Sequence, residues 1–142
     1  MYIPNTLAWK DSMTTGVPEL DSQHKYLINF INELGYSINK KHKPADIAGV
    51  LKVMKFYAEQ HFSKEEKCMA RHSCPIAGKN QKVHAIFVEK LEEYQKEYER
   101  SGGSSELAIK IHEALTDWTV NHIMTIDVQL YPYTQSTTSA QT

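Results

Sequence analysis

Four histidines and two carboxylates stand where a helical repeat would otherwise place apolar side chains. They are His24, His61, Glu65, His84, His122 and Asp127. Burying such groups without compensation costs several kcal/mol for each charge, more than a small domain can absorb. A metal supplies that compensation, and imidazole with carboxylate and no thiolate suits iron or manganese better than structural zinc. The pattern therefore predicts a pair of metal ions that carboxylates bridge.

The spacing of the donors refines this prediction. Residues i and i+4 differ by about 40° around a helix and about 6 Å along it, so His61 and Glu65 address neighbouring metal positions. Asp127 follows His122 by five residues, which puts it about 140° away on an ideal helix. A π-type bulge would bring it most of the way back, so we expect a helical irregularity between these two residues. The alternative is that Asp127 faces solvent and ends the helix.

The first two of four predicted helices carry three of the six donors. Apolar residues recur with the helical period after Asp21 or Ser22, either of which could serve as an N-cap. Residues 1–20 contain two prolines and a glycine, so we expect an irregular N-terminal arm there. Pro44 follows a polar break and is placed to open the second helix.

The third and fourth predicted helices carry the other three donors. A turn over residues 71–75 precedes the third helix, which ends at the glycine pair 102–103, and Ser104 or Ser105 can cap the fourth. The segment 134–142 is rich in Ser, Thr and Gln without an apolar anchor, and we expect it to be disordered. Short connections favour an all-α protein, an antiparallel up-down-up-down four-helix bundle over residues 1–133.

Composition and charge narrow the class of protein. The chain has 142 residues with 16 Lys+Arg against 17 Asp+Glu, a formal charge of -1. One domain is therefore the default, and no long-range field attracts nucleic acid or an anionic membrane. No stretch approaches the roughly 18 apolar residues of a membrane span, and the N-terminus lacks the pattern of a signal peptide. We expect a cytoplasmic protein without nucleic-acid or membrane partners, in which Cys68 and Cys74 are reduced.

The donor residues and their neighbours also follow a known family pattern. The chain resembles the hemerythrins, and in particular their single-domain bacterial members, over residues 7–131. The resemblance rests on Trp9, residues 16–24 (GVPELDSQH), residues 61–66 (HFSKEE), Pro75, His84, Trp118, His122, Ile123 and Asp127. Histidine motifs in this order and at these distances are hard to produce by chance. The resemblance implies the up-down-up-down bundle of myohemerythrin.

For the chemistry, the resemblance implies a non-haem di-iron centre. Two iron ions (Fe2+/Fe3+) with a bridging oxo or hydroxo group would bind dioxygen reversibly at one iron. Carried over residue by residue, His24 and His61 would bind the iron with the open oxygen site. The other two histidines would bind the second iron, and both carboxylates would bridge the pair. The implied partner is dioxygen or another small diatomic or anionic ligand, and the implied protein is not an enzyme.

The chain departs from the family pattern at one position. Asn80-Gln81-Lys82-Val83-His84 is NxxxH where the resemblance implies HxxxH. Four histidines, two bridging carboxylates and a bridging oxygen then leave two coordination positions vacant, where the family set leaves one. Asn80 could ligate weakly through its carbonyl oxygen or hold a bound water. The alternatives are a loosely held second iron and a ligand from His72, which lies eight residues upstream beyond Pro75.

Three functions remain open from the sequence. Reversible dioxygen binding for storage, delivery or sensing ranks first. A di-iron enzyme acting on peroxide or nitric oxide is an alternative. Glu66 and Tyr57 are the only obvious candidates for proton-relay residues in the sequence. The third is a gas-sensing signalling module, which would act on a protein partner that the sequence does not identify.

Overall fold

Four long helices make up most of the fold. A computed structural model describes residues 2–40 and 44–140. The helices are α1 (Pro18–Asn39), α2 (Pro44–Arg71), α3 (Ala77–Arg100) and α4 (Ser105–Thr125), followed by a shorter α5 (Tyr131–Ala140). Within the two described ranges there is no β-strand. The predicted all-α class is confirmed.

Each long helix packs against two neighbours, which closes the bundle. α1 contacts α2 and α4, and α3 contacts the same two helices. Because the connections are short, consecutive helices run antiparallel in the predicted up-down-up-down order. The donor residues lie toward the end where α1 and α3 begin. Toward the other end lies an apolar core that includes Leu34, Leu51, Leu91, Tyr98 and Ile111.

The first helix begins earlier than the sequence predicts. α1 has Pro18 in its first turn, and its N-cap is Val17, which makes no side-chain cap bond. The predicted N-caps, Asp21 and Ser22, are therefore wrong. Asp21 instead accepts hydrogen bonds from the backbone N–H and the hydroxyl of Thr15, both at 2.8 Å. Proline is well suited to a helix start, because its missing N–H is one of the donors that this end leaves unpaired.

The irregular N-terminal arm is present and ends at residue 17 rather than 20. It contains a 3-10 turn at Asp11–Met13, and Met13 packs in a small apolar cluster with Ile28 of α1. Asn32 ties the arm to α1, since its side chain accepts from the Leu7 N–H and donates to the Leu7 carbonyl, both at 2.9 Å. The arm is thus held by paired backbone groups as well as by apolar contacts.

The predicted glycine pair and serine cap form the connection between α3 and α4. Gly102 and Gly103 have φ values of 73° and 90°, in the left-handed region that favours glycine. A Cβ on Gly103 would lie 2.4 Å from the Pro44 ring. Ser104 then caps α4, where its hydroxyl accepts from the Leu107 N–H at 3.3 Å.

The irregularity expected near the end of α4 is present, but its kind differs. α4 ends at Thr125, Ile126 has φ −116° and ψ −58°, and Asp127–Leu130 forms a 3-10 turn. The predicted π-type bulge is therefore wrong, because the chain tightens after the helix instead of widening within it. Asp127 is 1% exposed, so the alternative that it faces solvent is also wrong.

The segment after this turn is helical where the sequence predicts disorder. α5 reaches residue 140, and residues 141–142 lie outside the described residues. The Thr134 hydroxyl lies 3.3 Å from the Thr15 carbonyl oxygen, which ties the start of the segment to the N-terminal arm. A hydroxyl anchor of this kind leaves no trace in a hydrophobic pattern.

Two further expectations concern the cysteines and membranes. Cys68 and Cys74 are both buried and free, as predicted. Among residues 2–40 and 44–140, no helix combines the length and apolarity that crossing a bilayer requires.

Candidate metal centre

Six side chains from the four long helices and the turn after α4 converge inside the bundle. They are His24 on α1, His61 and Glu65 on α2, His84 on α3, His122 on α4 and Asp127 in the turn. Their exposed fractions run only from 0% for Glu65 to 5% for His122. Two overlapping groups have donor atoms within 4.8 Å of one another, Glu65 with His84, His122 and Asp127, and Glu65 with His24 and His61. The structure thus brings together all six residues that the sequence pattern indicates.

Glu65 lies between the two histidine pairs and turns one oxygen toward each. Its Oε2 is 3.1 Å from His24 Nε2 and 3.2 Å from His61 Nε2, while its Oε1 is 3.3 Å from His84 Nε2. The i, i+4 spacing on α2 sets His61 and Glu65 side by side, as expected. One carboxylate therefore addresses two neighbouring positions.

Asp127 also turns one carboxylate oxygen toward each histidine pair. Its Oδ2 is 3.0 Å from His24 Nε2, and its Oδ1 is 3.1 Å from His122 Nε2. His122 Nε2 is also 3.0 Å from His84 Nε2. The break at Ile126 turns Asp127 inward, which an uninterrupted helix would not do. Both carboxylates therefore span the two histidine pairs.

Hydrogen bonds behind two of the imidazoles fix which nitrogen faces the centre. His61 Nδ1 is 2.7 Å from Gln23 Oε1, and His84 Nδ1 is 2.9 Å from Glu66 Oε2. Both partners are acceptors, so Nδ1 carries the hydrogen and Nε2 presents its lone pair inward. The sequence pattern does not reveal the role of Gln23 or the bond of Glu66, because both depend on how α1, α2 and α3 pair.

The contacts at the centre favour a cation among the donors. The lone pair of His61 Nε2 lies 3.2 Å from a Glu65 oxygen, and two lone pairs at this distance repel. Among the described residues, Asp127 Oδ1 has no hydrogen-bond partner, although His122 Nε2 is 3.1 Å away. A metal ion accepts several lone pairs at once and turns these repulsive contacts into attractive ones. The donor set therefore fits a metal ion.

Without a metal, a proton on His24 offsets part of the negative charge. Burial would lower the pKa of His24, but its hydrogen bonds to Asp127 and Glu65 outweigh burial and raise that pKa to about 10. Burial would raise the pKa of Glu65, yet the hydrogen bond from His24 and the close contacts with His61 and His84 hold that pKa well below its usual value. His61 differs, because burial lowers its pKa more than the nearby Glu65 raises it. A metal ion entering this centre would displace the proton of His24.

Aromatic rings cover the faces of two imidazoles. Phe62 stacks on His84 with ring centroids 3.7 Å apart and planes 5° apart, and Trp118 stacks on His122 at 4.4 Å and 10°. The stacked rings restrict how these imidazoles can turn and keep water from their faces. The sequence pattern places Phe62 and Trp118 near the donors but does not reveal the stacking.

An apolar cavity opens on one side of the centre. Its volume is about 20 Å³, enough for a molecule the size of water. Four of the donors line it, namely His24, His61, His122 and Asp127. Most of the remaining wall is apolar and consists of Leu27, Ile31, Met54, Ala58, Phe62, Phe87, Trp118 and Ile123. The cavity thus joins the donor cluster to an apolar space.

Comparison with known proteins identifies the family. A family model described as the hemerythrin HHE cation binding domain matches residues 15–134. The chain belongs to the hemerythrin family. The matched residues include all six donors, from His24 to Asp127.

Individual hemerythrins show the same likeness. The chain is 27% identical to a bacteriohemerythrin of Pseudomonas aeruginosa over 121 residues, which are 85% of this chain and 76% of that protein. It is 27% identical to a myohemerythrin of Riftia pachyptila over 125 residues, 88% of this chain and 91% of that protein. A crystal structure of a mutant hemerythrin superposes with a TM-score of 0.79 at 23% identity, covering 89% of this chain and 95% of the other. That structural likeness shows the fold.

Asn80 lies against the carboxylate that both histidine pairs share. It is fully buried at 0% exposure, and its Nδ2 donates to Glu65 Oε1 at 2.8 Å and lies 3.2 Å from Met69 Sδ. Within residues 2–40 and 44–140, its Oδ1 has no hydrogen-bond partner. His72, the alternative ligand, belongs to neither donor group. The contact with Glu65 is not among the roles that the hemerythrin resemblance suggests for this position.

Proposed function

We propose that the chain binds dioxygen reversibly at a non-haem di-iron centre, for storage, delivery or sensing of the gas. The observation that carries this proposal is the bridging position of both carboxylates. Glu65 and Asp127 each turn one oxygen toward the pair His24 and His61 and the other toward the pair His84 and His122. Such pairing suits two iron ions a few ångströms apart.

In this proposal, the protein holds each iron with two imidazoles and one oxygen from each carboxylate. His24 and His61 serve one iron, and His84 and His122 serve the other. The iron pair, with a bridging oxo or hydroxo group, would donate electrons to dioxygen on binding and recover them on its release. Gln23 and Glu66 orient two imidazoles by accepting their Nδ1 hydrogens.

The cavity supports the proposal that dioxygen is the ligand. It also supports a binding position for dioxygen on one side of the centre. Its lining includes both histidines of the first pair, His24 and His61, and only His122 of the second pair. A small molecule in the cavity therefore contacts the whole of the first pair, which the family resemblance associates with the open oxygen site. The largely apolar wall favours an uncharged diatomic over an anion, because an anion would lose its hydration there.

The hemerythrin family assignment favours a binding protein over an enzyme acting on peroxide or nitric oxide. The bacteriohemerythrin and myohemerythrin names of the relatives point the same way. Glu66, one of the two proposed proton-relay residues, already accepts the His84 Nδ1 hydrogen, which assigns it an orienting role.

The test is reconstitution with Fe2+ without oxygen, followed by oxygen addition and removal. We expect two irons per chain, a visible absorption that appears with oxygen and its loss when oxygen is withdrawn by argon. A ratio near one or zero would contradict the di-iron centre. Full iron loading with an irreversible spectral change, or steady consumption of added peroxide well above that of free iron, would contradict reversible binding and favour the enzyme.

A further inference from the structure

Asn80 joins the third helix to the carboxylate at the middle of the metal centre. Asn80 belongs to α3, and Glu65 belongs to α2. Their side chains meet at 2.8 Å between Asn80 Nδ2 and Glu65 Oε1, and both residues are 0% exposed. No water competes for this contact, so it is a strong hydrogen bond between an amide and an ionised carboxylate.

The chemistry of Glu65 determines which way the amide points. An ionised carboxylate oxygen can only accept, so the Asn80 side chain must present its NH2 group rather than its carbonyl oxygen to Glu65. The neighbouring Met69 Sδ, 3.2 Å from the same nitrogen, is a weak acceptor and suits the second N–H. The Asn80 amide is therefore held between two acceptors on α2.

We propose that Asn80 is a positioning residue that holds Glu65 in its bridging orientation and is not itself a metal ligand. The proposal rests on the metal centre described under the proposed function. It replaces weak ligation through the Asn80 carbonyl oxygen as the role of this residue. The chain then offers each metal the same donor set, two imidazoles and one oxygen from each carboxylate.

The two roles differ in which metal position they affect. A ligand at residue 80 would serve only the metal held by His84 and His122, since His84 follows it by one helical turn on α3. A residue that positions Glu65 serves both metals, because Glu65 Oε2 faces His24 and His61 while Oε1 faces His84. Loss of the hydrogen bond should therefore weaken both binding steps.

The position also lies away from the ligand cavity. Met69, which contacts the Asn80 amide, is 0% exposed, and neither residue lines the cavity that borders His24 and His61. The amide and the thioether fill the space beside Glu65 Oε1. Asn80 should therefore affect metal binding without forming a second place for a gas molecule.

The test is titration of metal-free protein with Co2+, followed by its visible absorption, for the wild type and for Asn80→Leu and Asn80→Ala. Leu has the same number and branching of side-chain heavy atoms as Asn but is bulkier, whereas Ala is smaller, so agreement between the two variants separates loss of the amide from a packing defect. Asn121→Leu is the matched control, because Asn121 is an exposed residue on α4. Far-UV circular dichroism and thermal unfolding confirm that each metal-free variant is folded.

We expect both cobalt-binding steps of the two Asn80 variants to weaken by about tenfold or more, with unchanged binding by Asn121→Leu. Weakening of only one step would overturn the positioning role in favour of ligation, and unchanged affinities at both steps would overturn any role in metal binding. Wild-type protein that binds fewer than two cobalt ions would instead contradict the metal centre. The two failures are therefore distinguishable.

Discussion

Two buried histidines on α4 have opposite surroundings. His112 and His122 are 0% and 5% exposed and about three helical turns apart. His112 Nδ1 is 2.8 Å from the Tyr2 hydroxyl, and burial lowers the pKa of His112. His122 Nε2 instead faces Asp127 at 3.1 Å and His84 at 3.0 Å. Burial is common to both, whereas converging donors are found only at His122.

The two histidines are also accommodated in different ways. A Cβ on Gly35 would lie 2.6 Å from His112 Nε2, so the missing side chain of Gly35 makes room for a neutral imidazole against the backbone of α1. At His122 the chain has gathered carboxylates and further imidazoles, which are unfavourable together until a cation is added. A buried histidine is thus no guide to a ligand unless other donors meet it.

The largest effect is expected from replacing Glu65, the carboxylate that contacts both histidine pairs. Glu65→Gln should abolish binding of both metals, because each position loses a shared oxygen. Without metal, the free energy of unfolding should fall by about 3 kcal/mol, since His24 loses one of its two acidic partners. Metal analysis and urea unfolding check these results.

The adjacent Glu66→Gln is the matched control for this prediction. Its amide oxygen can still accept from His84 Nδ1, so metal content should stay near that of the wild type. Retention of both metals by Glu65→Gln would contradict the bridging role.

A paired substitution tests the two histidines directly. His122→Gln should lose the metal that it shares with His84, whereas His112→Gln should bind as much metal as the wild type. The effect of His112→Gln should be limited to stability, about 1 kcal/mol, because one hydrogen bond to Tyr2 is altered. Equal metal loss in both variants would mean that the contrast between these two positions on α4 is wrong.

The pH dependence of the metal-free protein should come from the donor cluster. The pKa of His24 is raised from 6.5 to about 10, so its contribution to stability is complete below pH 6.5 and is lost as pH rises through about 10. The pKa of Glu65 is lowered from 4.5, so its contribution is complete above pH 4.5 and is lost at more acidic pH. The metal-free protein should therefore be most stable between about pH 4.5 and 6.5.

Thermal unfolding of metal-free protein between pH 6 and 10 checks the upper limit. The melting temperature should fall across this range, and His24→Leu should flatten the fall. The same slope in both proteins would show that another group is responsible.

The smallest effect is expected at the contact between Tyr2 and His112. Tyr2→Phe removes the hydroxyl that contacts His112 Nδ1 and should lower the free energy of unfolding by about 1 kcal/mol or less. Metal content should not change, because His112 lies outside both donor groups. A loss of bound metal in this variant would indicate that the arm and the metal centre are coupled.

The four long helices and the convergence of the six donor side chains are predictable from the sequence, for a common physical reason. A polar residue on an apolar helical stripe is visible in the sequence, and so is the repeat that carries it. The turn at Asp127 is only partly predictable, because the spacing reveals that the helix must break but not how. The hydrogen bonds of Gln23 and Asn80 are not predictable in this way, since they depend on which helices become neighbours.

Asp127 follows all four long helices in the chain, whereas every imidazole of the centre precedes it. During synthesis on a ribosome, the nascent polypeptide therefore exposes all four nitrogen ligands before the second carboxylate has left the exit tunnel. The donor set is complete only once Asp127, beyond the last of the four long helices, has been synthesised. Order along the chain thus delays full metal capture until all four long helices of the bundle have been made.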